Sequence, residues 1–282
     1  MSWTARRGPT PPQKAGTPLM TETLGIIGTG NIGTAVARLA VAAGLNVVLS
    51  NSRGPETLAD LVAELGPHAR AATPEEAAQA GDIVLVAVPL HAYRQLPAIA
   101  LAGRTVIDAM VYYPHRDGRI AELDAAKLTS SELVQRHLAG SSLVKTLNNV
   151  DFLHLFTLAR PTGAADRSAL PVAGDRSQAK TDAIRLLDTL GYDAVDIGTL
   201  ADSWRAGPNT PVHVQPYLPP WPEDLHTPEE RGRWFFRTPG IPVPAHRVTE
   251  LIDSAVPVPA GGPDPTAAHG GDTAEGTAKQ DR

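Results

Sequence analysis

The segment Gly28-Thr29-Gly30-Asn31-Ile32-Gly33 combines residue types and spacing that indicate a specific chemistry. In the pattern G-x-G-x-x-G, the first glycine permits a tight turn and the second lets a pyrophosphate approach the backbone. The third glycine lets a helix pack closely on a strand. Phosphate then meets the N–H groups at the positive end of that helix. An apolar run precedes the segment and a helical pattern follows it, so it predicts a dinucleotide site. The alternative is a purely structural glycine turn.

The residues after the second apolar run bear on which dinucleotide binds. Ser50, Asn51, Ser52 and Arg53 stand where proteins that prefer NAD usually carry an acidic residue for the adenosine ribose. Hydroxyl, amide and guanidinium groups donate to phosphate, and charge-assisted bonds contribute about 1.5–3 kcal/mol each. We therefore expect these four residues to bind the 2′-phosphate of NADP. In the alternative interpretation, Arg53 is a solvated loop cation and the serines cap the next helix.

Further cofactor contacts are expected from topology, because ligands of open α/β sheets lie across the carboxyl ends of the strands. Two strand ends supply the candidates. They are Ala87, Val88 and Pro89 after one strand, and Asp108, Ala109 and Met110 after another. Each of these residues is equally well explained as an ordinary loop residue.

Apolar runs of strand length alternate with helical patterns between Leu24 and Leu200. Two of the runs, 82–89 and 105–108, are continuously apolar, as is typical of strands covered by helices on both faces. The predicted strands are 24–28, 46–50, a short one near Ala69, 82–89, 105–108, 142–147, 170–174 and 193–197. The predicted helices include 55–65 and 177–190. The pattern predicts an α/β fold with a doubly wound, Rossmann-type parallel sheet and a small C-terminal α/β unit.

Proline content and aromatic residues indicate how the chain is divided. We expect a mobile leader at 1–22 with Met20 as a second candidate start, an NADP-binding domain at 23–147, and a substrate-side unit at 148–205. An aromatic and proline-rich arm should follow at 206–255, and a disordered tail without chemistry at 256–282. Six of the 13 aromatic residues lie between Trp204 and Phe236. We expect an extended arm packed on the domain, over the cleft or on a second subunit.

Candidates for catalysis are few, because the chain has no cysteine, no G-x-S-x-G motif and no recognisable triad. Two tyrosines and a histidine follow the strand that should end near the nicotinamide. A lysine within a later strand precedes two asparagines. These are Tyr112, Tyr113, His115, Lys145, Asn148 and Asn149. The asparagines could hold a carboxamide or ring carbonyls, or cap the following helix, and Tyr113 equally fits an extended loop before Pro114. The nine histidines are scattered, so no metal site is predicted.

Charge and hydropathy argue against several other functions. With 25 Lys and Arg against 30 Asp and Glu, the formal net charge is −5, which does not favour nucleic acid or an anionic membrane. No stretch approaches the roughly 18 apolar residues that span a bilayer. We therefore expect a cytoplasmic protein that acts on a small molecule.

The ordered series of segments resembles the family of NADP oxidoreductases that use the deazaflavin coenzyme F-420. The matching segments are GIIGTGNIG, SNSRG, DIVLVAVP, VKTLNN and the stretch from LPVAG to VDIG, within about residues 24–205. The resemblance implies hydride exchange between NADP(H) and the deazaflavin, and a homodimer. Residues 108–118 and the extension beyond residue 205 depart from the compact members.

Two other functions are compatible with the same residues. One is NADPH-dependent reduction of a small imine or carbonyl, with a tyrosine or His115 as the proton donor. The other is a sensor that binds NADP and does no chemistry.

Overall fold

In the computed structural model, which describes residues 22–257, eight strands form one sheet. The strands are β1 (Thr23–Ile27), β2 (Asn46–Ser50), β3 (Ala69–Ala71), β4 (Ile83–Val86), β5 (Thr105–Asp108), β6 (Ser142–Lys145), β7 (Ala169–Gly174) and β8 (Asp193–Gly198). Their order across the sheet is β3-β2-β1-β4-β5-β6-β7-β8. This confirms the predicted Rossmann-type α/β fold. The leader and the tail expected at the two ends lie almost wholly outside the described residues.

Helices occupy most of the connections between the strands. They are α1 (Asn31–Ala42), α2 (Ala59–Leu65), α3 (Pro74–Ala80), α4 (Ala98–Leu101), α5 (Pro114–Asp117), α6 (Ala121–Asp124), α7 (Ser130–His137), α8 (Phe152–Thr157), α9 (Ser177–Leu190), α10 (Pro228–Arg237) and α11 (Ala245–Asp253). Short 3-10 helices lie at Pro55–Leu58, Gly66–His68, Leu90–Gln95, Leu200–Ala206 and Gln215–Tyr217. The helix predicted at 177–190 is found with those bounds, whereas the one predicted at 55–65 begins as a 3-10 turn.

The sheet is buried on both faces, which explains its continuous apolar strands. All four residues of β4 are buried. Side chains of α1, α9 and α11 contribute to the core on one face, and side chains of α3, α4 and α7 contribute to the core on the other. Because both faces of each central strand lose water, nearly every position favours an apolar side chain. No helix among the described residues is long and apolar enough to cross a membrane.

The last two strands continue the same sheet in the opposite direction. β7 pairs antiparallel with β6, and β8 pairs parallel with β7. The sheet therefore departs from the wholly parallel arrangement expected at its C-terminal side. Hydrophobic runs do not distinguish a parallel strand from an antiparallel one when both faces are covered. The reversal brings the segment after β8 back over the ends of β5 and β6.

The aromatic arm packs on its own chain and is partly helical, so the expectation of an extended arm was wrong. Tyr217 is fully buried and its hydroxyl donates to the carbonyl of Ala169 at 2.8 Å. The Val243 carbonyl accepts a hydrogen bond from the Ala169 N–H at 2.8 Å, which attaches the arm to β7. The Trp221 and Trp234 rings lie 4.3 Å apart between centroids. Aromatic burial therefore holds the arm, while α10 and α11 satisfy much of its backbone.

A buried histidine fastens the end of α10 to α8. In His154, Nδ1 lies 2.7 Å from the carboxylate of Asp151, and Nε2 lies 2.9 Å from the carbonyl oxygen of Thr238. Both partners accept hydrogen bonds, so both ring nitrogens carry protons and the ring is an imidazolium. Burial opposes the charge, but the bonds to Asp151 and Thr238 outweigh it and raise the pKa of His154 above its ordinary value of 6.5.

This raised pKa predicts a pH-dependent contribution to stability. A group whose pKa is higher in the folded state stabilises fully below its unfolded pKa, about 6.5 here, and loses that contribution as pH rises through the folded value. We expect His154→Gln to lower the free energy of unfolding more at pH 5.5 than at pH 9, as measured by urea denaturation. Asp151→Asn keeps a side chain that can cap α8 and should show the same trend. A difference from wild type that is constant across this range would contradict the interpretation.

Candidate functional site

The glycine turn between β1 and α1 is closed by backbone contacts that leave no room for two side chains. Gly28 has a φ of 102°, and a Cβ on it would lie 2.5 Å from the carbonyl oxygen of Ala87. A Cβ on Gly33 would lie 1.9 Å from the carbonyl oxygen of Gly28. Both distances are far below van der Waals contact, so glycine is required at these two positions.

The second glycine differs because it faces open space. No atom of the described residues lies within 4 Å of a Cβ built on Gly30. Gly30 is the N-cap of α1, where no side chain among the described residues caps the helix, and the first turn contains no acidic residue. The Thr29 hydroxyl beside it is buried without a hydrogen-bond partner among the described residues. Unpaired donors around an open space fit a diphosphate.

The remaining residues of the motif divide between the core and the surface. Ile32 packs against the core of the α1 face, and Asn31 is exposed. At the end of β4, the Ala87 carbonyl and the Val88 side chain lie against Gly28, and Pro89 is exposed. The structure therefore places the glycine turn and residues 87–89 together, as the topology predicted. Contact of these residues with a cofactor stays a prediction.

The turn after β2 differs in part from the expected 2′-phosphate site, because two of its four side chains are hydrogen-bonded within the protein. Ser50 is fully buried, and its hydroxyl donates to the carbonyl of Ile26 at 2.9 Å. Its side chain therefore ties β2 to β1 and cannot reach a phosphate. Asn51 accepts from the Arg53 N–H at 2.9 Å and donates to the Thr57 hydroxyl at 2.9 Å. Asn51 thus shapes the turn rather than presenting a free amide.

Ser52 and Arg53 remain available at this turn. Both are exposed, and the Arg53 guanidinium makes no hydrogen bond or ion pair with the described residues. The carboxylate of Glu56 folds back over Gly54, close to where a side chain on that glycine would begin. This acidic group, three residues after Arg53, lies outside residues 50–54, from which the phosphate contact was predicted. Its proximity follows from the tight 3-10 turn that starts at Pro55.

Asp108 lies at the end of β5 as expected, but its carboxylate is committed to the protein. It is 1% exposed and accepts from the Met110 N–H at 2.9 Å and the Ser131 hydroxyl at 2.7 Å. The Lys145 ammonium lies 3.4 Å from the same carboxylate. The Asp108 carboxylate is therefore occupied within the protein, and contact of residue 108 with a cofactor stays a prediction. Ala109 is also buried, and its N–H continues the pairing of β5 with β4.

A cavity of about 440 Å³ opens beside these strand ends. Its size lies within the range of small-molecule sites. Met110 follows β5, Lys145 and Asn148 lie at and after the end of β6, and Trp204 lies on the segment after β8. Pro257, assigned by sequence to a tail without chemistry, also lines it. The cavity combines apolar walls with a few polar groups, as a site for a ring-shaped ligand requires.

Lys145 is the most deeply buried titratable group of the cavity wall. Its side chain is 6% exposed and donates to the Met110 carbonyl and to Asp108. Burial lowers the pKa of Lys145 below its ordinary value, and the Asp108 charge offsets this in part. The sequence marked Lys145 as a candidate only because it precedes the asparagines.

The aromatic candidates are held by neighbouring loops. The Tyr112 hydroxyl donates to Asp124 at 2.9 Å and accepts from the Ile120 N–H at 2.9 Å. Burial raises the pKa of Tyr112, which makes it a weaker acid. The Tyr113 hydroxyl lies 3.4 Å from His213 Nε2, and the rings of Tyr113 and His115 lie 5.6 Å apart between centroids. Of these three residues, only Tyr112 lines the cavity.

The two asparagines act as a pair on one acceptor. Asn148 and Asn149 both donate from Nδ2 to the carbonyl of Ala206, each at 2.8 Å. They hold the end of the 3-10 helix Leu200–Ala206, whereas Asp151 caps α8. Neither Oδ1 has a hydrogen-bond partner among the described residues. Each Nδ2 keeps a second N–H and each Oδ1 can still accept, so a contact of these side chains with a ligand stays a prediction.

Backbone strain collects around the cavity. Ala126 and Asn209 line it and have φ values of 49° and 64°. Leu147, between Lys145 and Asn148, has a φ of 62°. The left-handed region costs non-glycine residues on the order of 1–2 kcal/mol each, so the surrounding packing must hold them there. Such strain is common at binding sites.

No group of three or more His, Asp or Glu side chains in residues 22–257 is arranged to hold a metal ion. The site is instead a glycine turn, an exposed arginine and a cavity along one edge of the sheet. This combination is typical of a dinucleotide-binding fold, with a cavity beside the strand ends.

Comparison with known proteins agrees with this class. Residues 23–112 match the family described as NADP oxidoreductase, coenzyme F-420-dependent. The structure of hypothetical protein SMa0349 from Sinorhizobium meliloti has 30% sequence identity and a TM-score of 0.60, and the match covers 69% of this chain and 93% of that one. A protein from Arthrobacter sp. FB24, provisionally described as an F-420-dependent NADP reductase, has 23% identity and a TM-score of 0.55. That match covers 65% of this chain and 87% of the other, and shows the shared fold.

A shorter match covers part of a curated protein. Protein YjhV of Escherichia coli (strain K12) is 41% identical over 53 residues, which are 19% of this chain and 39% of YjhV. The chain thus spans less than half of that relative. Together with the glycine turn, these findings show that the chain belongs to the family of coenzyme F-420-dependent NADP oxidoreductases.

The different surroundings of the glycines predict different effects of the same substitution. We expect Gly33→Ala to destabilise the fold by about 1–3 kcal/mol, because its Cβ overlaps the Gly28 carbonyl, and to weaken NADPH binding. Gly30→Ala should change stability by less than about 1 kcal/mol, since alanine is only a poorer N-cap, yet weaken NADPH binding strongly. Thermal unfolding and calorimetric titration with NADPH measure both effects. Normal NADPH affinity in Gly30→Ala would contradict the phosphate site.

Proposed function

We propose that this chain transfers hydride between NADP(H) and the oxidised deazaflavin coenzyme F-420. The observation that carries the proposal is the 440 Å³ cavity beside Met110, at the edge of the sheet that also bears the glycine turn. Ligands of this fold lie across that edge, so a cofactor held at residues 28–33 extends toward the cavity. A second ring in the cavity would then face the nicotinamide.

The cofactor would be held by a small set of residues. The N–H groups at the start of α1 and the open side of Gly30 would receive the diphosphate. Ser52 and Arg53 would bind the 2′-phosphate, and residues 87–89 and 109–110 would border the nicotinamide. Bound NADPH supplies the hydride. The chain's main contribution is to orient the two rings about 3–3.5 Å apart and to exclude water between them.

The function is tested by mixing the purified protein with NADPH and oxidised deazaflavin and following the absorbance of both. We expect both chromophores to bleach together in equal amounts. Binding of NADPH without any bleaching would contradict hydride transfer to this acceptor and would favour the sensor.

A second candidate is the reduction of a small imine or carbonyl. The buried ammonium of Lys145 in the cavity wall favours it, because such reductions need a proton donor beside the hydride acceptor. Oxidation of NADPH with a five-membered cyclic imine, but not with the deazaflavin, would support this candidate over the first.

We also propose that the protein acts as a homodimer. Phe156 and Phe236 are 44% and 61% exposed on α8 and α10, more than large apolar side chains usually are. A second copy of the chain would cover them. Light scattering over a dilution series should give the dimer mass for wild type and a lower mass for Phe236→Ser. A monomer mass for wild type at all concentrations would contradict the proposal.

The turn after β2 predicts how the cofactor is selected. We expect Arg53→Ala to weaken NADPH binding by about 1.5–3 kcal/mol and to leave NADH binding nearly unchanged, because only NADPH carries the 2′-phosphate. Calorimetry or fluorescence titration measures both. Arg247→Ala, which removes an exposed arginine on α11, is the matched control and should bind NADPH normally. Equal losses for NADPH and NADH in Arg53→Ala would contradict the phosphate contact.

A further inference from the structure

Lys145 is placed where a reductase needs a proton. It is the last residue of β6 and pairs in register with Asp108, the last residue of β5. Its side chain lines the cavity that we propose for the hydride acceptor. The same carboxyl edge of the sheet bears the glycine turn, so a cofactor bound at that turn and Lys145 approach the cavity from the same side.

One of the three N–H groups of the Lys145 ammonium has no hydrogen-bond partner among the described residues. An ammonium has three N–H groups, and two partners are found for them, the Met110 carbonyl and the Asp108 carboxylate. No third partner is found among the described residues. Burying a lysine with one unused N–H carries a free-energy cost, unless a ligand accepts that bond.

Other titratable groups of the cavity wall are less suited to give a proton. In the described part of the chain they are Tyr112, Lys127 and Glu132. The Tyr112 hydroxyl is bonded to Asp124 and to the Ile120 N–H, and Glu132 accepts from the Thr129 N–H in a capping box. Lys127 is exposed to solvent at the rim.

Asp108 and Ser131 hold the ammonium in place. The Asp108 carboxylate accepts from the Ser131 hydroxyl at 2.7 Å and from the Met110 N–H at 2.9 Å. Its position at the end of β5 is therefore fixed by α7 and by the loop that follows β5. Burial lowers the pKa of Lys145 and so favours release of its proton, while the Asp108 charge acts in the opposite direction. Since nothing else titratable contacts Lys145 among the described residues, its proton can pass only to Asp108 or to a ligand in the cavity.

We propose that Lys145 is a catalytic residue that protonates the hydride acceptor, and that the acceptor is a molecule whose C=N or C=O group, isolated or conjugated with C=C bonds, gains an electron pair on nitrogen or oxygen. This deepens the proposed function and depends on it. The acceptor carbon takes the hydride from NADPH, which leaves NADP⁺. The electron pair of the acceptor's double bond moves to nitrogen or oxygen, and that atom takes a proton from the Lys145 ammonium. Lys145 then regains a proton from water. Both a deazaflavin ring and a small imine meet this requirement.

The test compares Lys145→Met with Arg247→Met, which removes an exposed cation on α11, outside the cavity lining. Activity is followed as NADPH oxidation with oxidised deazaflavin and with a five-membered cyclic imine, across pH 6–10. We expect kcat of wild type to fall at alkaline pH as Lys145 loses its proton. Lys145→Met should lower kcat about 100-fold, remove the alkaline fall and keep the NADPH affinity. Arg247→Met should match wild type in kcat and in pH profile.

Lys145→Arg separates proton donation from a structural role and serves if Lys145→Met does not fold. Arginine keeps the charge and the hydrogen bonds but does not release a proton in this pH range. A slow variant without the alkaline fall supports the proposal. Wild-type activity with an unchanged pH profile in Lys145→Arg, or a retained alkaline fall in Lys145→Met, overturns it. If wild type oxidises NADPH with neither acceptor, the proposed function fails as well, which distinguishes that result from failure of Lys145 alone.

Discussion

The close approach of α1 to the ends of β1 and β4 is the constraint on which the site depends. The Gly33 Cα lies against the Gly28 carbonyl, and Gly28 lies against the Ala87 carbonyl, so the turn exists only without side chains. This packing brings the N-terminus of α1 to the carboxyl edge of the sheet with its N–H groups unpaired by side chains. A helix that began farther out would leave those donors in solvent, where they contribute much less to binding an anion.

Along the same edge, a cluster of buried polar side chains forms one wall of the cavity. Asp108 joins β5 to Ser131 on α7 and to Lys145 on β6. Farther along, Asn148 and Asn149 hold the 3-10 helix Leu200–Ala206 over the cavity through one carbonyl. These side chains come from distant parts of the chain. Their burial is tolerated because most of their polar atoms are paired, although the Oδ1 atoms of Asn148 and Asn149 have no partner among the described residues. The cavity therefore has fixed walls before any ligand binds.

Much of the fold was predictable from the sequence, because strands covered on both faces must be apolar along their length. The glycine spacing and the apolar run at 82–89 therefore indicated the carboxyl edge of the sheet, where the glycine turn lies. The direction of β7 was not predictable, since an apolar run carries no direction. The helices α10 and α11 were missed because dense prolines suggested extended chain, although Pro228 and Pro244 only mark where helices begin.

Individual side-chain roles were harder to predict, because they depend on partners remote in sequence. Ser50 and Asp108 have suitable chemistry and position for a cofactor contact. However, the Ser50 hydroxyl is hydrogen-bonded to Ile26, and the Asp108 carboxylate is hydrogen-bonded to Ser131 and Lys145. Residue type and strand position alone do not show which way a terminal side chain turns. The role of Lys145 was equally hard to predict, because it depends on a cavity that exists only in the folded chain.

The central claim is that the N–H groups at the start of α1 bind the diphosphate of NADP. Amide ¹⁵N–¹H spectra of the isotope-labelled protein, titrated with NADPH, test this most directly. The account predicts that the amides of residues 29–33 shift most, together with those of residues 52 and 53. Saturating NADPH that leaves the amides of residues 29–33 unchanged would contradict it.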